Sequence, residues 1–205
     1  MILLKKTHFL FSKHLPTFYY CLISRLKYNS TWTINGRLHI KRTPFLVALF
    51  NPNIIKGKII IGNYFISNNK LSSNSIGVFQ PCYFNISTSG SKIIIGDNVG
   101  ISGTTINATT SVTIEDNVLI GTGCLITDTD SHPILWNERR FGGVANSAPV
   151  IIEHDVFIGA RSIILKGVRI GARSVIGAGS VVTKSIPPNS IAAGNPCKVI
   201  KIINN

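Results

Sequence analysis

The chain has 205 residues, of which 44% are hydrophobic and 14% charged, and its formal net charge is +13. This length suits one sizeable domain. No apolar stretch reaches the ~18 uncharged residues of a membrane-spanning helix, and the N-terminus lacks the small-residue cleavage site of a signal peptide, so we expect a cytoplasmic protein.

The first 53 residues are predicted to form a cap ahead of the main domain. They carry many of the basic side chains, interleaved with aromatic ones, and up to about residue 30 they favour helical or irregular structure. From Thr31 the chain favours β-structure, and Asn35-Gly36 suits the turn of a hairpin. A basic, aromatic segment either packs on the first coil of the domain or lies on an anionic bilayer. Peripheral contact with the inner face of the membrane therefore stays open.

A six-residue repeat dominates the rest of the chain. From Ile152 to Val182 an aliphatic residue returns at every sixth position, and the residue four places after each is small or β-branched. This period belongs neither to a helix nor to an ordinary half-buried strand. It indicates an all-β solenoid, in which three hexads form one triangular coil of about 18 residues and stacked coils bury a continuous core.

The same phase appears upstream at Ile95, Ile101, Ile114, Ile120 and Ile126, with fainter copies at 61–65 and 76–79. We therefore predict coils over residues 54–186, with a loop inserted at 127–149. The hexads stop before Pro187-Pro188, which cannot support strand pairing. Residues 187–205 are predicted to form a C-terminal cap or tail.

The inserted loop carries the main functional hypothesis. His132 lies where the chain leaves the solenoid, and insertions of this kind often line the binding face. A histidine takes up a proton near neutral pH, so it suits a general base if a carboxylate or carbonyl holds its second nitrogen. Asp128 and Asp130 are candidates for that role. The alternative is a surface loop whose Asp and His side chains only cap turns.

Other chemistries find little support in the sequence. The four cysteines are far apart and form no C-x-x-C pair. Only His132 and His154 fall within the predicted coils, too few for a zinc site between coils, so no metal is expected. No strand-turn-helix G-x-S-x-G motif offers a serine nucleophile. The basic charge lacks a nucleic-acid-binding motif, and we expect no nucleic acid partner.

The hexads, the segment Asp128-x-Asp130-x-His132-Pro133 and the run from Ile176 to Pro196 resemble the hexapeptide-repeat acyltransferases. Within that family the sugar and capsular polysaccharide O-acetyltransferases are most similar. The resemblance implies a left-handed parallel β-helix, assembled as a homotrimer, with acetyl-CoA in the groove between neighbouring subunits. It also implies that His132 is the general base for an acceptor hydroxyl that attacks the thioester directly.

The resemblance assigns further site residues. The acetyl-CoA residues it implies are Ala160 and Ala178 through their backbones, Thr183 and Lys184 at the adenosine end, Lys198 and Lys201 for phosphates, and Phe157 where relatives often carry a tryptophan. In place of the family's acceptor-binding asparagine, Ser102 is the substitute. Trp136 and Arg139 on the loop are candidates for binding a glycan, or for a subunit contact.

The leading hypothesis is an acetyl-CoA-dependent O-acetyltransferase that acts on a sugar hydroxyl in surface polysaccharide synthesis. Two other enzyme hypotheses are an N-acetyltransferase for an amino-sugar nucleotide and a serine acetyltransferase. A hypothesis of another class is a non-catalytic solenoid that serves as a scaffold or membrane-surface module.

Overall fold

The structure is a computed structural model that describes residues 33–35, 39–41, 57–88 and 90–204. The predicted N-terminal helix, with most of the cap that contains it, lies outside those residues. Within them, short strands alternate with tight corners, and successive strands pass in turn to three different sheets. The sheets are the three faces of a parallel β-helix.

Each face is built from strands that recur once per coil. The first face contains β1 (Thr33–Asn35), β4 (Ile66–Asn68), β7 (Gly100–Ser102), β10 (Leu119–Ile120), β13 (Phe157–Ile158), β16 (Val175–Ile176), β18 (Ser190–Ala193) and β19 (Lys198–Ile202). The second contains β2 (His39–Lys41), β5 (Tyr83–Ile86), β8 (Thr105–Ala108), β11 (Leu125–Thr127), β14 (Ile163–Ile164) and β17 (Val181–Val182). The third contains β3 (Lys58–Ile61), β6 (Lys92–Ile95), β9 (Ser111–Ile114), β12 (Val150–Ile152) and β15 (Arg169–Ile170). The chain passes from the first face to the second at what we call the first corner. It passes from the second face to the third at the second corner, and from the third face back to the first at the third corner.

The predicted six-residue register is the register of the core. On the second face Ile126 pairs with Ile164, and Ile164 with Val182. All the repeating aliphatics from Ile152 to Val182 are fully buried, and so are the smaller residues that follow them near the corners, such as Ser162 and Ser174. Each face thus contributes one inward column, and the three columns meet in a single apolar core.

The β-helix begins earlier than the repeat suggests. Strand β1 pairs in parallel with β4, and β2 pairs in parallel with β5, so the two strands belong to different faces. The hairpin predicted at Asn35-Gly36 is therefore wrong. Each strand finds its partner in the next coil rather than in its sequence neighbour.

Two segments leave the regular coils. Partners such as Phe157 and Val175 are one plain coil apart, whereas Ile66 pairs with Gly100 and Leu119 with Phe157 at about twice that separation. The excess lies in residues 69–82, which include a 3-10 turn at Leu71–Ser73, and in residues 128–149. The faint copy at 76–79 is wrong as a coil, because it belongs to the first of these insertions and exposes two large apolar side chains.

The glycines that follow Ile120 and Ile158 are required by the stacking of the first corner. A Cβ on Gly159 would lie 2.4 Å from the backbone nitrogen of Ala178, and one on Gly121 would lie 2.6 Å from that of Ala160. Neither neighbour is the end of a flexible side chain, so no rotation could relieve the contact. Consecutive coils can approach this closely only without a side chain at that position.

Carboxylates join successive coils at the third corner. Asp116 Oδ1 accepts the backbone N–H of Asp97 at 2.7 Å, and Glu153 Oε2 accepts that of Ala172 at 2.6 Å. Glu153 also accepts from the Arg169 guanidinium at 2.6 Å. These bonds satisfy corner amides that strand pairing leaves without a partner.

The C-terminal segment closes the solenoid. Strand β18 continues the first face in register with β16, and β19 then folds back antiparallel on β18. This reversal ends the parallel stack. Among the described residues, no helix is long and apolar enough to cross a bilayer.

The third corner predicts how stability depends on pH. Burial opposes ionisation of Glu153, but the Ala172 amide and the Arg169 guanidinium outweigh it and lower the pKa of the carboxyl. A carboxyl with a depressed folded-state pKa stabilises the fold above its unfolded pKa and loses that effect as the pH falls through the folded value. We expect Glu153→Gln to reduce the free energy of unfolding at neutral pH by on the order of 1 kcal/mol, and this difference to shrink in acid.

Urea denaturation at several pH values measures this effect. Glu138→Gln, on the exposed loop helix, is the matched control and should follow the wild type at every pH. A deficit for Glu153→Gln that stays constant from neutral to acid pH would contradict the assignment.

Candidate active site in the loop at the second corner

The inserted loop is tied to the solenoid by a short antiparallel stem. The backbone N–H of Asp130 donates to the carbonyl of Asn146 at 3.0 Å, and that of Ala148 donates to the carbonyl of Asp128 at 2.9 Å. The N–H of Gly167, in the next coil, donates to the carbonyl of Ala148 at 3.0 Å. The two ends of the loop are therefore held against each other and against the scaffold.

Asp128 is a structural residue of the second corner. Its side chain is fully buried, and both carboxylate oxygens accept from the corner one coil earlier. The donors are the Thr109 N–H at 2.7 Å, the Thr110 N–H at 2.6 Å and the Thr110 hydroxyl at 2.8 Å. Because these donors already engage both oxygens, the geometry favours Asp130 over Asp128 as the candidate to orient His132.

Asp130 is the remaining carboxylate beside His132, and it is only half satisfied. Its Oδ1 accepts from Lys166 Nζ at 2.7 Å, an ion pair in which both side chains are largely shielded from solvent. Its Oδ2 is buried and has no hydrogen-bond partner among the described residues. Leaving a buried carboxylate oxygen without a hydrogen bond reduces stability by about 1–3 kcal/mol or more, so such an oxygen is unusual in a folded protein.

His132 is presented to solvent by its neighbours in the chain. Ser131, just before it, is left-handed with φ of 63°, and its N–H donates to the Thr129 hydroxyl at 3.1 Å. Pro133, just after it, is buried and confines His132 to extended backbone. No hydrogen bond joins the His132 ring to another described residue. The ring is therefore free to meet a ligand.

A short helix, α1 (Trp136–Phe141), forms the outer part of the loop and ends at Gly142 with φ of 97°. Trp136 exposes 68% of its surface, as a platform for a sugar ring or a subunit contact would require. Arg139 is also exposed, but it folds back along the loop, and its Nη1 donates to the carbonyls of Pro133 at 3.2 Å and Ile134 at 2.5 Å. It thereby braces the segment that follows His132.

The predicted acetyl-CoA residues fall on two corners. Thr183 and Lys184 follow β17 at the second corner, one coil beyond Lys166 and on the same edge as the loop. Ala160 and Ala178 are stacked on the first corner, where the N–H of Gly179 donates to the Ala160 carbonyl at 2.8 Å. The second face lies between these two edges, so a single chain does not bring the two groups together.

The other predicted residues lie on or near the first face. Phe157 points outward from β13 and is half exposed, and Lys198 and Lys201 are exposed on β19. Ser102 is almost fully buried at the first corner, and its hydroxyl accepts from Asn68 Nδ2 at 3.1 Å and Asn74 Nδ2 at 3.0 Å. The bond from Asn74 ties the Ser102 hydroxyl to the insertion 69–82. The hydroxyl is therefore less accessible to an acceptor sugar than the sequence suggested.

The described cysteines do not supply a nucleophile. Burial raises the pKa of the Cys124 thiol to about 11, and it also raises the pKa values of Cys82 and Cys197. These thiols stay protonated near neutral pH and are poor nucleophiles. In the part of the chain that the structure describes, no three His, Cys, Asp or Glu side chains come together as a metal site would require.

Lys166 was not among the site residues predicted from the sequence. Its signal was its place in the hexad, because Lys166 follows Ile164 by two residues, as Asp128 follows Ile126 and Lys184 follows Val182. Register alone therefore places Lys166 on the edge of the solenoid from which the loop departs. The ion pair with Asp130 could not be read from that position, since it depends on how the stem folds back.

Known proteins share this architecture. Residues 149–184 match the family model described as the hexapeptide repeat of succinyl-transferase. The chain is 47% identical over 129 residues to a galactoside O-acetyltransferase of Escherichia coli strain K12, a match that covers 62% of this chain and 61% of that protein. It is 46% identical over 96 residues to one of Lactococcus lactis subsp. lactis strain IL1403, covering 47% and 45%.

A solved galactoside acetyltransferase in complex with coenzyme A has a TM-score of 0.55 with this chain at 40% identity, covering 71% of this chain and 66% of that one. The matches span less than two thirds of the length of the two curated relatives. The stacked hexads, the three-faced topology and these likenesses agree with one another. By these likenesses the chain is similar to the hexapeptide-repeat acetyltransferases, and its fold is the left-handed parallel β-helix.

Proposed function

We propose that the protein is an acetyl-CoA-dependent O-acetyltransferase that modifies a sugar hydroxyl in the synthesis of a surface polysaccharide. The observation that carries this proposal is the 47% identity to a galactoside O-acetyltransferase over 129 residues. The loop at the second corner supports it, because it presents an unengaged histidine beside a carboxylate on a rigid scaffold. The proposed location is the cytoplasm, with any contact at the membrane left to residues 1–53.

In the proposed reaction the unprotonated ring nitrogen of His132 accepts the proton of the acceptor hydroxyl. The acceptor oxygen attacks the thioester carbonyl carbon, and the bond from that carbon to sulfur then breaks. The imidazolium returns its proton to the departing thiolate, so that an acetyl ester and free coenzyme A are the products. No acyl-enzyme is needed, which agrees with protonated thiols at the three described cysteines.

The donor site is proposed to lie between two chains of a homotrimer. Within one chain, Ala160 and Ala178 occupy the first corner, whereas His132, Thr183 and Lys184 belong to the second. A groove between neighbouring chains unites the groups if the first corner of one chain faces the second corner of the next. The first face also carries a column of exposed apolar side chains that association would cover: Ile66, Leu119 and Phe157.

The first test concerns His132. We expect His132→Ala to lower the rate of acetyl transfer by about 100- to 10,000-fold, the range that a general base contributes. Release of free thiol from acetyl-CoA in the presence of glucosides and galactosides measures the rate, and an amino-sugar nucleotide tests the amine alternative. His154→Ala, on the third corner, is the matched control and should retain the wild-type rate. Undiminished activity of His132→Ala would remove the proposed base.

The second test concerns the donor. Because lysines beside phosphates gain charge-assisted hydrogen bonds, we expect Lys184→Ala and Lys198→Ala each to weaken coenzyme A binding about two- to fivefold, as for exposed ion pairs. Titration calorimetry measures the affinity, and the deficit should fade as salt is added. Lys92→Ala, on the third face, is the control. No measurable coenzyme A affinity in the wild type would favour the non-catalytic scaffold.

The third test concerns assembly. Light scattering coupled to size-exclusion chromatography should give three times the chain mass of 22.3 kDa. Leu119→Glu places a charge in the exposed apolar column of the first face and should lower that mass if the column is covered. Phe141→Glu, on the loop helix, asks whether the loop contributes instead. A monomeric wild type at micromolar concentration would contradict the shared donor site.

A further inference from the structure

The half-satisfied carboxylate of Asp130 points to a role for a residue that the proposed reaction does not yet use. Asp130 Oδ1 is held by Lys166 Nζ at 2.7 Å, whereas Oδ2 is buried and lacks a hydrogen-bond partner among the described residues. A buried carboxylate oxygen of this kind is a strong hydrogen-bond acceptor whose capacity is unused. Any N–H or O–H group brought within reach would bind there.

Lys166 is fixed by the scaffold rather than by the loop. It lies at the second corner between two buried core residues, Ile164 and Val168. The next residue, Gly167, is left-handed with φ of 75°, and its N–H donates to the Ala148 carbonyl in the stem of the loop. The ammonium group therefore reaches Asp130 from a part of the molecule that does not move with the loop tip.

His132 supplies a second titratable donor, two residues along the chain from Asp130. Asp130 and His132 flank Ser131, whose left-handed backbone shortens the step between their Cα atoms compared with an extended chain. The His132 ring is exposed and has no bond to the described residues, so rotation about its side-chain torsions is unhindered by an existing partner. An imidazole N–H and a buried carboxylate oxygen are thus two residues apart, and both lack partners.

We propose that Lys166 is a positioning residue, which holds Asp130 through Oδ1 so that Oδ2 accepts one ring N–H of His132 and leaves the other ring nitrogen free to take a proton. The ammonium is a compact charge with rotating donors, so it secures one oxygen without covering the second. The catalytic consequence rests on the proposed function, but the placement of the ring proton does not.

The decisive measurement is the tautomer of the neutral His132 ring. Long-range proton–nitrogen NMR spectra distinguish the two ring nitrogens. They are recorded in the full-length protein at a pH where the ring is neutral. We expect one tautomer in the wild type, a mixture in Asp130→Asn and Lys166→Met, and one tautomer again in Lys166→Arg, which restores the cation. Lys92→Met, an exposed residue of the third face, is the control and should match the wild type.

Kinetics give an independent readout. We expect Lys166→Met to lower kcat at least tenfold with little change in the KM for acetyl-CoA, and Lys166→Arg to recover most of the loss. The double variant Lys166→Met/Asp130→Asn should be no slower than Asp130→Asn alone, because both changes remove one interaction. Thermal unfolding shows whether each variant is folded, and Lys166→Gln replaces Lys166→Met if the latter is not.

The outcomes separate the two proposals. A single tautomer that persists in Lys166→Met and in Asp130→Asn overturns the positioning role, whatever the activity. Equal losses from Lys166→Met in the presence and absence of Asp130 also overturn it, since the lysine would then act elsewhere. If the wild type transfers no acetyl group, but the His132 tautomer changes in these variants, the proposed function is refuted and the positioning role is supported.

Discussion

The constraint on which the structure depends is the parallel stacking of coils in a fixed register. Strands of two residues, such as β14 and β17, give each pair of coils few hydrogen bonds per face. The register is kept because each inward residue meets its equivalent in the next coil, and a slip by one residue would turn that column outward. Corners must then close in a set number of residues, which explains the glycines whose Cβ would collide with the backbone of the coil above.

This constraint also determines where function can arise. An extra residue inside a hexad would break all three columns, so additional chain can only leave at a corner and return to the same corner. The segment 128–149 does this, and its stem closes through Asp130 and Asn146 before the helix α1 begins. The residues nearest the stem, His132 among them, therefore inherit the rigidity of the solenoid, although they belong to a loop.

The sequence predicted well what periodicity controls. The buried aliphatics, the small inward residues near corners and the place of the insertion all follow from a pattern that repeats many times. Prediction from the sequence failed where one local feature is compatible with two different structures. Asn35-Gly36 suits a hairpin and a solenoid corner equally, and only a partner strand in a later coil decides between them. Asp128 and Asp130 look equivalent in sequence, yet Asp128 bonds the corner one coil earlier and Asp130 pairs with Lys166 in the next coil.

The periodicity of one chain could not predict a complete donor site. The position of a residue in its hexad predicts which corner it occupies. On that basis Ala160 belongs to the first corner and Thr183 to the second. A groove that uses both edges needs a second chain, whose approach is set by the outward side chains rather than by the inward pattern. Outward residues such as Leu119 and Phe157 repeat less strictly, because solvent or a partner can accept many side chains. Register thus determines each half of the proposed site, and association of chains would determine whether the halves meet.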